Sequence, residues 1–248
     1  MHRLHPGVAF AAAFAACISL APACAGEAVR CGPFAHEQLP TPRPSPYPSA
    51  LERATGINQA VTSARYSIIF FGDSLTDGWD RTVWEDHLAS RGALNAGVSG
   101  DRTENLLWRL KNGNLAGPTP KAVVLLIGTN DLAYGRPPDL TADGIRAALE
   151  TLRQYFPETR ILLLGLLPRE EVATDPLRVA TTKVNHLIRA CADNQHIFFA
   201  DIGDVLLDGN GRLTREIAPD GLHFTARGYS LLTSRLDPEL DGLLRPAR

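Results

Sequence analysis

The sequence predicts an α/β protein, a three-layer α/β/α sandwich whose five strands form one parallel sheet. Three observations carry this expectation. Continuous apolar runs of strand length recur at 67–71, 122–127, 160–166 and 196–200, with a weaker one at 93–95. Amphipathic stretches of helical length alternate with them, and Gly or Pro punctuates most junctions. Strands that are apolar on both faces must be covered on both sides, which alternating helices achieve. A chain of 248 residues, 44% hydrophobic and 21% charged, suits one well-packed domain and is short for two.

The elements follow in order. Residues 1–25 have the layout of a secretory signal peptide: Arg3 and two histidines near the start, an apolar run at 8–21, then Ala21-Pro22-Ala23 and Ala23-Cys24-Ala25 as cleavage patterns. The run falls short of the roughly 20 residues of a membrane-spanning helix. Export is therefore expected, with lipid anchoring at Cys24 as the lesser alternative. Residues 26–64 read as an N-terminal arm, with proline at every second position from Pro40 to Pro48 and a short helix at 49–63. The main domain, 65–248, holds the strands, with helices expected at 82–91, 102–112, 141–156, 176–194 and 226–244, the last open to a break at Pro238.

Charge and cysteines narrow the class. Formal net charge is −2, so no basic field points to nucleic acid or to an anionic membrane surface. A small-molecule or polymer-borne partner is expected, without obligatory membrane insertion. Cys31 and Cys191 lie beyond the signal segment; a bridge between them and two free thiols are both open.

Four segments carry chemistry. The first strand runs into Gly72-Asp73-Ser74-Leu75, which puts a serine hydroxyl at the sheet edge where a helix start offers backbone N–H groups. The second leaves through Gly97-Val98-Ser99-Gly100-Asp101, two glycines that let backbone approach a ligand. The third exits through Gly128-Thr129-Asn130-Asp131, whose asparagine amide can donate to an oxyanion. Before the last helix comes Asp220-Gly221-Leu222-His223, a spacing at which a carboxylate can meet imidazole Nδ1 and leave Nε2 as a proton acceptor. Each segment alone has a bland reading as a cap or turn. Together they supply nucleophile, base, orienting acid and oxyanion donors where a doubly wound sheet gathers its strand ends.

These four blocks, from about Ser67 to Tyr229, resemble those of the SGNH hydrolases, often called GDSL esterases. The stretches 97–110 and 123–131 are most similar to the catalytic subunits of platelet-activating factor acetylhydrolase. The resemblance implies a flavodoxin-like sheet with strand order 2-1-3-4-5 and no cofactor. It assigns Ser74 as nucleophile, Asp220 and His223 as the acid–base pair, and Ser74, Gly100 and Asn130 as the oxyanion hole. Gly100 is preferred to Gly97 because the family's donor glycine directly precedes the Asp-x-Thr of this block, here Asp101-Arg102-Thr103.

The expected activity is hydrolysis of short acyl esters of a carbohydrate, lipid or other small alcohol. A thioesterase or lysophospholipase, and a non-catalytic binding module on the same fold, are the alternatives. Asp73, Asp77, Asp101 and Asp131 crowd the site, but no histidine joins them at metal-ligand spacing. Asp208-Gly209-Asn210-Gly211 has no glycine at the sixth position of a calcium loop and reads as a turn.

Overall fold

The computed structural model describes Cys31 and residues 40–245. The segments read as a signal peptide and the Cys24 alternative lie outside the described residues. Five parallel strands form one sheet, β1 (Ile68–Gly72), β2 (Ala93–Gly97), β3 (Ala122–Leu126), β4 (Arg160–Leu164) and β5 (Ile197–Ala200), in the order β2-β1-β3-β4-β5. All five residues of β1 and of β3 are buried, as their unbroken apolar sequence requires.

Around the sheet run α1 (Pro48–Ser63), α2 (Ser74–Asp77), α3 (Arg81–Val83), α4 (Thr103–Arg109), α5 (Thr129–Ala133), α6 (Pro138–Tyr155), α7 (Pro176–Ile188) and α8 (Ala226–Leu244). Helices α4, α6 and α7 pack in series in one layer, and α3 packs with α8 in the other. Ala50, Ala54, Ile57 and Val61 of α1 are buried, so this helix closes on the body of the domain. Cys31 is disulfide-bonded to Cys191, 160 residues further on.

Register positions the site. Gly72 at the end of β1 pairs with Gly97 of β2 and Leu126 of β3. Three strands therefore finish level, and the segments after Gly72, Gly97 and Leu126 emerge side by side at one edge.

Several element boundaries differ from the sequence expectation. The helix expected at 82–91 is three pieces: α3, a π-helical turn at Trp84–Leu88 and a 3₁₀ turn at Ala89–Arg91. The turn widens where Trp84 packs edge-on against Phe70 and Trp79. The helix expected at 102–112 ends as α at Arg109, and Asn112 and Gly113 leave helical geometry. Helix α7 gives way to a 3₁₀ turn, Arg189–Cys191, instead of continuing to 194. Pro48 starts α1 rather than preceding it, since proline at the first helical position loses no hydrogen bond. Helix α8 continues through Pro238, anchored on both sides by buried Leu236 and Leu240.

Candidate active site

Ser74 opens α2 directly after β1. Asp73 caps the turn, its Oδ1 accepting from Leu75 N at 3.0 Å. The turn is pinned from two further sides: Tyr229 Oη donates to Leu75 O at 3.0 Å, and Asn95 Nδ2 donates to Thr76 O at 2.6 Å. Asp73 is buried. That burial, with the nearby Asp101 and Asp131 charges, pushes its carboxyl up to about 7 against the pull of the Leu75 N–H.

His223 reaches Ser74 from a loop 149 residues later, Nε2 lying 3.0 Å from Ser74 Oγ. Its Nδ1 lies 2.7 Å from Asp220 Oδ2. The other carboxylate oxygen accepts the backbone N–H groups of Leu222 and His223 at 2.9 and 2.8 Å. One aspartate thus shapes the turn and orients the ring. Burial opposes its ionisation, but these hydrogen bonds prevail and hold the Asp220 carboxyl down at about 2. An ionised Asp220 fixes the proton on Nδ1 and leaves Nε2 to accept from the serine hydroxyl. Phe224 is buried against Tyr229, and Thr225 caps α8, so the loop is seated on the same helix that pins the Ser74 turn.

The glycines of the second block have different work. A Cβ on Gly97 would lie 2.2 Å from Asp77 N, so this position permits close packing of β2 on the Ser74 turn. Gly100 has φ +81°, a left-handed conformation that suits glycine and turns the backbone at the site edge. Asn130 stands in the first turn of α5, and its Nδ2 donates to Asp101 O at 2.9 Å. That bond uses one of the two amide N–H groups and ties the third block to the second.

The four crowded aspartates are each engaged in holding the loops. Asp73 caps α2, Asp77 accepts from Ser99 Oγ at 2.6 Å, and Asp101 pairs with Arg109. Asp131 accepts Thr103 N and Oγ1 at 2.9 and 2.7 Å and pairs with Arg136. The 208–211 segment is a turn, Asp208 Oδ1 accepting from Asn210 N and Arg212 N at 2.9 Å each.

Sequence reasoning passed over Arg109 and Tyr47. Arg109 sends Nη2 to Gly72 O at 2.9 Å and Nη1 to Asn114 Oδ1 at 2.8 Å, besides its pairing with Asp101. A lone arginine beside Leu106, Leu107 and Leu110 was a readable sign of a buried charge needing a carboxylate. Tyr47, from the proline-rich segment, packs its ring against Gly100, and nothing in the local sequence signals that contact.

The chain belongs to the GDSL-like lipase/acylhydrolase family, whose model matches residues 70–231. It is an ester hydrolase of that family. The alpha1 subunit of platelet-activating factor acetylhydrolase IB from Bos taurus is 34% identical over 165 residues, 66% of this chain and 70% of the relative. A platelet activating factor protein from Streptococcus pneumonia superposes with a TM-score of 0.69 at 25% identity, covering 77% of this chain and 92% of that one. A GDSL-like lipase from Bacteroides thetaiotaomicron gives 0.63 at 25% identity, covering 78% and 98%.

Proposed function

We propose that this chain is an exported serine esterase for short acyl groups, acetyl above all, with Ser74 as nucleophile. The observation that carries the reading is the linked row Ser74 Oγ, His223 and Asp220, at 3.0 and 2.7 Å. His223 Nε2 takes the hydroxyl proton as Ser74 Oγ attacks the acyl carbon. The oxyanion is held by the N–H groups of Ser74 and Gly100 and by the remaining amide N–H of Asn130. The alcohol leaves with the proton from Nε2, giving an acyl-serine. Water then attacks that acyl group with Nε2 as base, and the carboxylic acid is released. Asp73, as the cap of α2, stays outside the proton path.

Preference for short acyl groups is supported by access. Ser74 is half-buried, His223 and Asp220 are exposed, and the connections 134–137 and 165–175 are too short to form a deep lid. The name acetylhydrolase borne by the relatives agrees with it. Export is supported by the layout of residues 1–25 and by the Cys31–Cys191 disulfide, a bond that persists in oxidising compartments.

The test is a panel of nitrophenyl esters from acetyl to palmitoyl, run beside acetylated xylan and peptidoglycan. Acetyl to butyryl esters should give the highest kcat/KM. A long acyl pocket would reward each buried methylene with up to about 0.8 kcal/mol, so a maximum at decanoyl or beyond overturns the short-acyl reading and favours a lysophospholipase. No turnover on the whole panel would favour a binding module. The mature protein from its host should begin near Gly26; a retained Met1, or lipid on Cys24, would overturn export.

A further inference from the structure

Beside the oxyanion hole lies an exposed aromatic pair that the hydrolytic steps do not use. Tyr47 precedes α1 and Tyr134 ends α5, and their phenol oxygens meet at 2.9 Å. Both are exposed, 46% for Tyr47 and 62% for Tyr134, and belong to the few large apolar side chains left in solvent among the described residues. The Tyr47 ring passes within 3.5 Å of where a Cβ on Gly100 would stand. Tyr134 follows Asn130 by one helical turn, its N–H donating to Asn130 O at 3.0 Å. The pair therefore adjoins Gly100 and Asn130, two of the three proposed oxyanion donors.

The rings are held in place. Arg102 stacks its guanidinium 4.8 Å from the centre of the Tyr134 ring, and the hydrogen bond between the phenols braces one ring on the other. Next to Tyr134 opens a polar hollow of about 240 Å³, lined by Arg43, Arg102, Glu104 and Arg136 among others. An apolar face beside a rim of guanidinium and carboxylate groups suits a sugar alcohol. A sugar ring presents C–H groups on its face and hydroxyls on its edge, so the face can stack on a tyrosine while the edge meets the charged groups. An alkyl chain would cover the rings but bring nothing to the charges it desolvates.

The geometry points to Tyr47 and Tyr134 as a carbohydrate platform that seats the alcohol side of the substrate, making the ester an acyl sugar. This rests on the esterase reading above. The N-terminal segment thereby supplies a specificity residue to a site whose chemistry lies 27 residues and more further on.

The experiment compares acetylated xylotriose with butyl acetate on the wild type, Tyr134→Ala and Tyr134→Phe, with calorimetric titration of acetylated xylotriose into Ser74→Ala and Ser74→Ala/Tyr134→Ala. Tyr134→Ala should lower the ratio of kcat/KM for the sugar ester over butyl acetate by about tenfold, mostly through KM. Tyr134→Phe should restore most of it, because the ring face remains. The double variant should bind the sugar ester about tenfold more weakly than Ser74→Ala. Equal losses on both esters would mean a general apolar contact and overturn the proposal, as would no loss on either. If the wild type hydrolyses neither ester, the short-acyl esterase reading fails, and the calorimetric arm still decides whether the platform holds a sugar.

Discussion

Arg109 and Asp101 form an ion pair in the interior, Nε to Oδ2 at 2.6 Å, with both side chains only 2% exposed. Asp101 directly follows Gly100, and the same guanidinium holds the carbonyl of Gly72, two residues before Ser74. One side chain thus sets the spacing between the Ser74 turn and the Gly100 loop. Burial pushes the Asp101 carboxyl up and the Arg109 guanidinium down, and each partner counters the shift of the other.

Arg109→Met should therefore cost about 3–5 kcal/mol of stability, because it strands a buried carboxylate. Arg109→Lys should recover little of it, since an ammonium cannot reproduce a planar fork with three separate acceptors. Urea unfolding measures both. A loss below about 1 kcal/mol in the Met variant would show that the pair does not hold these loops together.

Asn130→Ala should lower kcat by about 10²–10³ with little change in KM, as expected for a donor aimed at the transition state. Its bond to Asp101 O is lost as well, so the melting temperature should be recorded alongside. A raised KM with kcat intact would make Asn130 a substrate-binding residue instead.

Asp73 makes a prediction about stability and pH. Its folded-state pKa of about 7 lies above its ordinary value, so between the two the folded protein holds a proton that the unfolded chain has released. Its contribution is most favourable below the unfolded pKa and is lost as pH rises towards 7, by at most about 4 kcal/mol. Asp73→Asn, which can still accept from Leu75 N, should flatten the fall in unfolding free energy between pH 4 and 7. An unchanged slope would mean that Asp73 does not hold that proton.

Asp220 has the opposite sign. Its carboxyl is held at about 2, so its stabilising bonds to His223 and Leu222 are present above the ordinary aspartate range and disappear only as pH falls through about 2.

Much of this was readable in the sequence. The strand runs were apolar on both faces, so their place in a covered parallel sheet followed, and the blocks that end them carried Ser74, Gly100 and Asn130. Asp220 and His223 were readable because three residues in a loop suffice for the carboxylate to cap its own turn and still meet the ring. The Trp84–Leu88 turn was not readable, because its widening comes with tertiary packing of Trp84 on Phe70. Tyr47 was hidden for a related reason. Its contacts with Gly100 and Tyr134 span 53 and 87 residues, and an alternating proline pattern says only that the segment is extended.

The central claim is that Ser74 attacks the ester carbonyl with His223 as its base. The most direct test is kcat for nitrophenyl acetate in Ser74→Ala, with circular dichroism confirming the fold. A loss on the order of 10³-fold or more is predicted, because one half-buried hydroxyl is removed and the binding groups remain. Near-wild-type turnover in that variant would contradict the account, since no rearrangement of the remaining residues would replace the nucleophile it names.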